Sequence, residues 1–322
     1  MRKTTLPTLG LIAILAAACS GTGASASPSI APSAAVSTAP STAPSVAPTA
    51  APTATPDACA AANLKLVTPG KLTIATDNPA FPPYYAENAD GHKTDPWALG
   101  DPTNGQGFES AVAYALATKL GFTKDQVVWT YVKFDDSYKP GPKQFDFDIN
   151  QVSFTPERAQ AVDMSDGYYF VSQSVVAYSA NAISKVTSIS GLAGFKFGAQ
   201  VGTTSYSTIT DVIKPTAEPR VYNTNDDAIA GLKAKQIDGI VVDLPTAFYM
   251  AGAQLDKGQV VGQFALPASS AGLEHFSLVL AKGSTVTPCV NAAIAAITSD
   301  GSLTAMTKEW LSDKAAAPVF TP

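Results

Sequence analysis

The sequence predicts an α/β fold with mainly parallel sheets, built as two successive units. Three observations carry this. A short apolar strand, Lys71 to Thr76, is followed by a helical stretch, Gly107 to Leu120, and a second strand, Val127 to Val132. The same alternation returns after Phe195, with strands at 195–201, 221–222 and 237–242 separated by helical segments. Strand–helix–strand alternation buries helices on a parallel sheet. Finally, the 322 residues are 46% hydrophobic and 15% charged, enough apolar material for one large domain or two smaller ones.

The chain opens with an export signal. Arg2-Lys3 is its positive region, Leu6 to Leu15 a short apolar core, and Ala16-Ala17-Ala18 a small-residue cleavage zone. Cys19 directly after it resembles a bacterial lipoprotein signal, in which the cysteine is diacylated and becomes the new N-terminus. Leu15 lies four residues before Cys19, where three is usual. The alternative is ordinary secretion with a spare thiol. Residues 1–18 are therefore expected to be a signal peptide, with the remainder exported and lipid-anchored on the extracytoplasmic side of the cell membrane. Nothing after this segment is long and apolar enough to span a bilayer.

Residues 19–56 read as a tether. From Ser20 to Pro56 the chain is uncharged and nearly all Ala, Ser, Thr, Pro and Gly, with Pro28, Pro32, Pro40, Pro44, Pro48, Pro52 and Pro56 on a four-residue spacing. Such a segment buries no core; extended at about 3 Å per residue it reaches on the order of 100 Å at most. With Cys19 acylated, Cys59 and Cys289 remain. In an oxidising compartment an even remainder points to one disulfide, the alternative being two buried thiols. The formal charge is −5, and losing Arg2 and Lys3 leaves 19 basic against 26 acidic residues, −7. No basic block points to nucleic acid.

The folded region starts near Cys59. The strand Lys71–Thr76 ends at Asp77, and Phe81-Pro82-Pro83-Tyr84-Tyr85 follows as a stiff aromatic loop. Phe108, Val112, Leu116 and Leu120 fall at four-residue steps on one helix face, and Gly121 ends that helix. Phe145 to Ser153 alternates apolar and polar residues as a strand does. Thr155 then suits an N-cap, Pro156 the first helical position and Glu157 the positive end of the dipole. Arg158 fits that helix start poorly unless an anion sits between it and the free backbone N–H groups. The alternative is a surface arginine paired with Asp163 or Asp166.

Ser172 to Tyr178 reads as extended and Ser188 to Gly194 as a short helical turn. The strand 195–201 runs into Gly202-Thr203-Thr204 and a helical stretch through Ile213. Ala228, Ile229 and Leu232 mark the inner face of a helix from Asn225 to Lys235. The strand Ile237–Val242 ends at Asp243, and Pro245 begins another helix. Val260–Leu266 and Phe276–Leu280 read as strands, 288–299 and 302–311 as helices, and the last eleven residues as frayed.

Several of these segments, in this order, resemble the family 3 extracellular solute-binding proteins, the amino-acid receptors of ABC importers. They are Lys71-Leu-Thr-Ile-Ala-Thr-Asp77, Phe81-Pro-Pro, Gly107-Phe-Glu109, Ser153-x-Thr-Pro-Glu-Arg158, Val162-Asp-Met-Ser-Asp-Gly-Tyr-Tyr169, Gly202-Thr-Thr204, Ile237-Asp-Gly-Ile-Val-Val-Asp243 and Asp300-Gly-x-Leu303 with Lys308-Glu-Trp310. The resemblance spans about Leu66 to Leu311. It implies a type II periplasmic-binding-protein-like fold, two lobes joined by two crossovers with ligand in the cleft. Residues 57–171 and 271–314 would form the first lobe, 172–270 the second, and 315–322 a tail. Both Cys59 and Cys289 then lie in the first lobe.

The resemblance also implies a site. Arg158 and the Thr203-Thr204 helix start would take an amino acid's carboxylate. Asp243, the Ser153 hydroxyl and the Gln151 carbonyl would take its ammonium. Asp77, Phe81, Phe134 and Gln200 would line the side-chain pocket, two rings being suited to an aliphatic or cationic side chain. Asp77 favours a side chain that donates, an amide or a cation. Asn150-Gln151 replaces the small Ala-Gly pair usual there, making the pocket more polar. Each residue also has a plain structural reading: Asp243 as a helix cap, Thr203 and Thr204 likewise, Ser153 as a strand serine, Phe81 and Phe134 as core.

The expected function is capture of an L-amino acid by lobe closure and delivery to the permease subunits of an ABC importer. The protein is expected to act as a monomer, without cofactor, metal or enzymatic activity. One alternative is an enzyme similar to cyclohexadienyl dehydratases, which share the scaffold; His92 and His275 lie far apart and nominate no base. Another is a ligand-sensing receptor subunit that signals through a partner.

Overall fold

In the computed structural model, the described residues are 58–266, 274–311 and 317–322. The expected signal peptide, Cys19, the tether and the lobe boundaries at 270/271 and 314/315 lie outside them. The strands are β1 Leu72–Thr76, β2 Val127–Tyr131, β3 Phe147–Asp148, β4 Asp163–Phe170, β5 Gln173–Tyr178, β6 Phe197–Gln200, β7 Arg220–Tyr222, β8 Gly239–Asp243, β9 Gly258–Gln263 and β10 His275–Leu280. The helices are α1 Phe108–Lys119, α2 Phe134–Ser137, α3 Pro156–Ala161, α4 Ile189–Leu192, α5 Thr204–Ser207, α6 Asn225–Lys233, α7 Leu244–Tyr249, α8 Thr287–Ser299 and α9 Ser302–Trp310.

Two five-stranded sheets form two lobes, with strand orders β2-β1-β3-β10-β4 and β7-β6-β8-β5-β9. In each, three neighbouring strands are parallel and two more pair antiparallel at one side. The sheets are thus more mixed than strand–helix alternation suggests. The antiparallel partners come from the crossovers: β4 and β5 flank the first passage between lobes, and β9 and β10 the second. β10 re-enters the first sheet between β3 and β4, a placement that no local pattern encodes.

The central strand β1 is buried along all five residues, as a strand covered on both faces must be. Phe108, Val112, Leu116 and Leu120 of the α1 region join its core, with Val290, Ile294 and Ile297 of α8. The second sheet carries separate apolar clusters, one around Phe197, Ile209 and Val241 and another around Ile229, Leu232 and Ile240. Cys59 and Cys289 are bonded, S–S 2.04 Å, against the first-lobe core. Among the described residues no helix is long and apolar enough to cross a membrane.

Three local differences from the sequence expectation bear on the site. The strand anticipated over 145–153 pairs as a ladder only at Phe147–Asp148. Gln151 ends the run by taking a left-handed conformation, φ 50°. The run 163–170 is itself a strand, β4, rather than a simple lead to the crossover. Residues 317–322 are not frayed: Val319 bridges Gln263, Thr321 bridges Ser188, and Phe320 is buried 5.2 Å from the Phe264 ring. The apolar Phe320 finds a place on the second lobe although it follows the last helix of the first.

Candidate ligand-binding cleft

The ends of β1, β6 and β8 and the starts of α3 and α5 converge between the sheets. Strand C-terminal ends are where open α/β sheets place ligands, because the helix starts that follow offer free N–H groups there. Asp77, Phe81, Phe134, Gln151, Ser153 and Arg158 from the first lobe line one cavity with Gln200, Thr203, Thr204 and Asp243 from the second. The structure therefore brings together all ten residues singled out in the sequence. The cavity comprises about 590 Å³ of space between atoms, part of it open to solvent.

Arg158 sits in α3, where Thr155 caps the helix by accepting from the Arg158 backbone N–H at 3.2 Å. Its side chain is not on the surface and does not pair with Asp163 or Asp166. It is 8% exposed. Asp163 instead accepts from Ser284 and Thr287, with Lys282 at 3.7 Å. One guanidinium nitrogen of Arg158 donates to the Ser153 carbonyl at 2.5 Å and the other to the Gly202 carbonyl of the opposite lobe at 2.7 Å. The guanidinium carbon lies 4.4 Å from the Tyr138 ring centre and 5.6 Å from that of Phe134. These contacts fix the plane of the fork; a guanidinium has five N–H groups, so donors remain for a carboxylate.

Gly202 makes this contact through a left-handed turn, φ 71°, and a Cβ there would stand 2.5 Å from the Tyr138 hydroxyl. The next residues start α5. Thr203 caps it, accepting from Tyr206 N at 3.3 Å and donating to the Gln200 carbonyl at 2.8 Å. Capping and ligand binding are compatible at this position, because the helix start keeps its dipole and its first N–H groups.

Asp243, at the end of β8, accepts from Gln173 Nε2 at 2.7 Å. Burial holds its carboxyl well above the ordinary range, and nearby Glu274 pushes the same way. Ser153 Oγ donates to Glu274 at 2.7 Å, and Thr204 Oγ1 to the same carboxylate oxygen at 2.5 Å.

At the side-chain end, Asp77 accepts from Asn78 N at 2.7 Å and Phe134 N at 3.3 Å. Burial pushes its carboxyl up to about 6. The Phe81 ring faces Tyr249 of the other lobe at 6.3 Å. Asn150 lines the cavity, and its buried Nδ2 has no partner among the described residues. The Gln151 side-chain amide turns instead to Glu109, which also accepts the Gln151 backbone N–H at 2.7 Å.

Several residues of the site were not singled out by sequence. Thr246 and Asn225 also line the cavity, and the Thr246 hydroxyl meets Tyr84 across the cleft at 3.2 Å. Tyr138 supports Arg158, while Gln173 and Glu274 support Asp243 and the two hydroxyls. Asn225 is the first residue of a helix that points at the cleft, a signal that could have found it; the others depend on distant pairings.

A profile of the bacterial extracellular solute-binding proteins, family 3, matches residues 72–313. The arginine-binding extracellular protein ArtP of Bacillus subtilis is 24% identical over 220 residues, covering 67% of this chain and 81% of its own. The L-cystine-binding protein TcyJ of Escherichia coli K12 is 26% identical over 243 residues, covering 75% and 82%. Among solved structures, the ancestral amino acid-binding protein AncCDT-1, described as a precursor of cyclohexadienyl dehydratase, superposes with a TM-score of 0.59 at 25% identity. It covers 76% of this chain and 96% of its own.

Proposed function

The chain belongs to the bacterial extracellular solute-binding proteins, family 3, and on that premise we propose that it captures an L-amino acid with a polar amide or basic side chain and hands it to the permease of an ABC importer. The observation that carries the reading is the placement of a guanidinium and a carboxyl group in one cleft. Arg158 stands on the first lobe beside the α5 helix start, and Asp243 stands at a strand end of the second. An amino acid carries a carboxylate and an ammonium on one carbon and satisfies both at once. Ligand that touches both lobes favours their closed arrangement, so binding and closure are linked. Asp77, with Phe81 and Phe134 beside it, supports a side chain that donates hydrogen bonds. The names of ArtP and TcyJ, both binding proteins, support a binding role rather than an enzymatic one.

Calorimetry against the twenty amino acids tests this. We expect binding of at least one, and a loss of roughly 100-fold or more in Arg158→Ala and in Asp243→Ala with the circular dichroism spectrum unchanged, because each removes charge-assisted hydrogen bonds from a buried end of the ligand. Binding of none, or turnover of prephenate or arogenate, would sink the transport reading and favour the dehydratase one.

We further propose that the protein works from the membrane by a lipid on Cys19, on the strength of the small residues and apolar core before it. Metabolic labelling with a fatty-acid analogue should mark the wild type and not Cys19→Ser; a label that survives the substitution removes the anchor from that site.

A further inference from the structure

Glu274 lies just before β10, where the chain re-enters the first lobe, and it does not line the cleft. Its Oε1 nevertheless gathers three hydrogens: from Ser153 Oγ of the first lobe at 2.7 Å, from Thr204 Oγ1 of the second at 2.5 Å, and from Gln173 Nε2 at the crossover at 3.0 Å. A hydroxyl has one hydrogen and two lone pairs. Both hydroxyls direct that hydrogen at Glu274, away from the cleft that Ser153 and Thr204 line. What each presents to the cleft is lone pairs. Lone pairs accept from an ammonium and do nothing for a group that needs a donor. Thr204 Oγ1 also faces Ser153 Oγ and Gln173 Nε2, each at 3.4 Å, but both contacts are far longer than its 2.5 Å bond to Glu274, so the acceptor pair straddles the boundary between the lobes.

We propose that Glu274 is a positioning residue: by taking the Ser153 and Thr204 hydrogens it turns both hydroxyls into acceptors toward the cleft and so sets the preference for an ammonium at the ligand's α-carbon. The inference rests on the amino-acid reading above and adds a residue that reaches ligand only through others. It also separates roles within the carboxylate clamp. The Thr204 hydroxyl is committed, so the second lobe meets a carboxylate through backbone N–H groups and not through this side chain.

The test compares the acceptor oxygen with the charge. L-arginine and L-glutamine are each titrated beside the 2-hydroxy acid that replaces the ammonium with a hydroxyl. The ratio of the two Kd values within one preparation is unaffected by any fraction of unfolded protein. Glu274→Met removes the acceptor and frees both hydroxyls to turn inward; the preference for amino acid over hydroxy acid should fall about tenfold, the worth of one hydrogen bond lost or reversed. Glu274→Gln keeps an acceptor oxygen without the charge and should hold the wild-type ratio to within about threefold by the same scale. An unchanged ratio in Glu274→Met overturns the proposal, and so does a loss in Glu274→Gln as large as in Glu274→Met. A wild type that binds none of the twenty amino acids overturns the amino-acid reading and this inference with it.

Discussion

Arg158 is held by two carbonyl oxygens and two aromatic rings, Ser153, Gly202, Phe134 and Tyr138. Dipoles and ring faces orient a cation without forming an ion pair with it, which leaves the guanidinium able to pair with a carboxylate. Asp77 works the other way. Its carboxyl, pushed up to about 6 by burial, takes a proton in mildly acidic solution. A cationic side chain favours the ionised form, so its binding should weaken as the pH falls through that value. Between pH 7 and pH 5 the affinity for L-arginine should drop about tenfold relative to that for L-glutamine, following the fraction of Asp77 ionised. Taking the ratio of the two ligands cancels the effect of Asp243, which both share. Calorimetry at the two pH values checks this, and Asp77→Asn should make the ratio flat. The charged ends of the site were legible in the chain because each sits where a local signal puts it, at a strand end or helix start. Glu274 was not: its partners Ser153, Gln173 and Thr204 lie 121, 101 and 70 residues away. Only the sheet order brings them together.

The element that shapes the pocket floor is the short β3 and the turn that leaves it. Gln151 adopts a left-handed conformation, costing about 1 kcal/mol for a residue with a side chain. Glu109 of α1 offsets this by accepting both its backbone N–H and its side-chain amide, together with the Tyr168 hydroxyl at 2.5 Å. The same burial pushes the Glu109 carboxyl up to about 7. The folded protein therefore keeps a proton there that the unfolded chain releases above the ordinary carboxylate range. Unfolding releases that proton between roughly pH 4.5 and 7, so this contribution falls as pH rises through the window and is flat below it. Melting temperatures from pH 4.5 to 8 should show a decline that is shallower in Glu109→Gln; an identical slope would remove Glu109 as its source. The alternation across 145–153 made a strand legible but not its end, because period-two patterning says nothing about a residue held in an unusual conformation by a carboxyl group 42 positions earlier. The helices read over 107–120, 225–235 and 288–299 are present as α1, α6 and α8, within two residues at each end.

At the scale of the molecule, the two sheets share one layout, and the cleft lies where both present strand ends. The Cys59–Cys289 bond ties the beginning of the folded chain to α8, so it braces one lobe without crossing the cleft. The two-unit organisation was legible because the strand–helix alternation restarts. The docking of Phe320 was not, since one apolar residue in a short tail carries no period. Yet that docking bears on the proposed closure. The chain passes between the lobes near residue 171, again between Gln263 and His275, and a third time between Leu311, buried in the first core, and Phe320, buried in the second. Two connections leave two bodies free both to fold and to twist. On the proposed lobe closure, anchoring Leu311 and Phe320 on different lobes should restrict twisting and so guide Arg158 toward the start of α5.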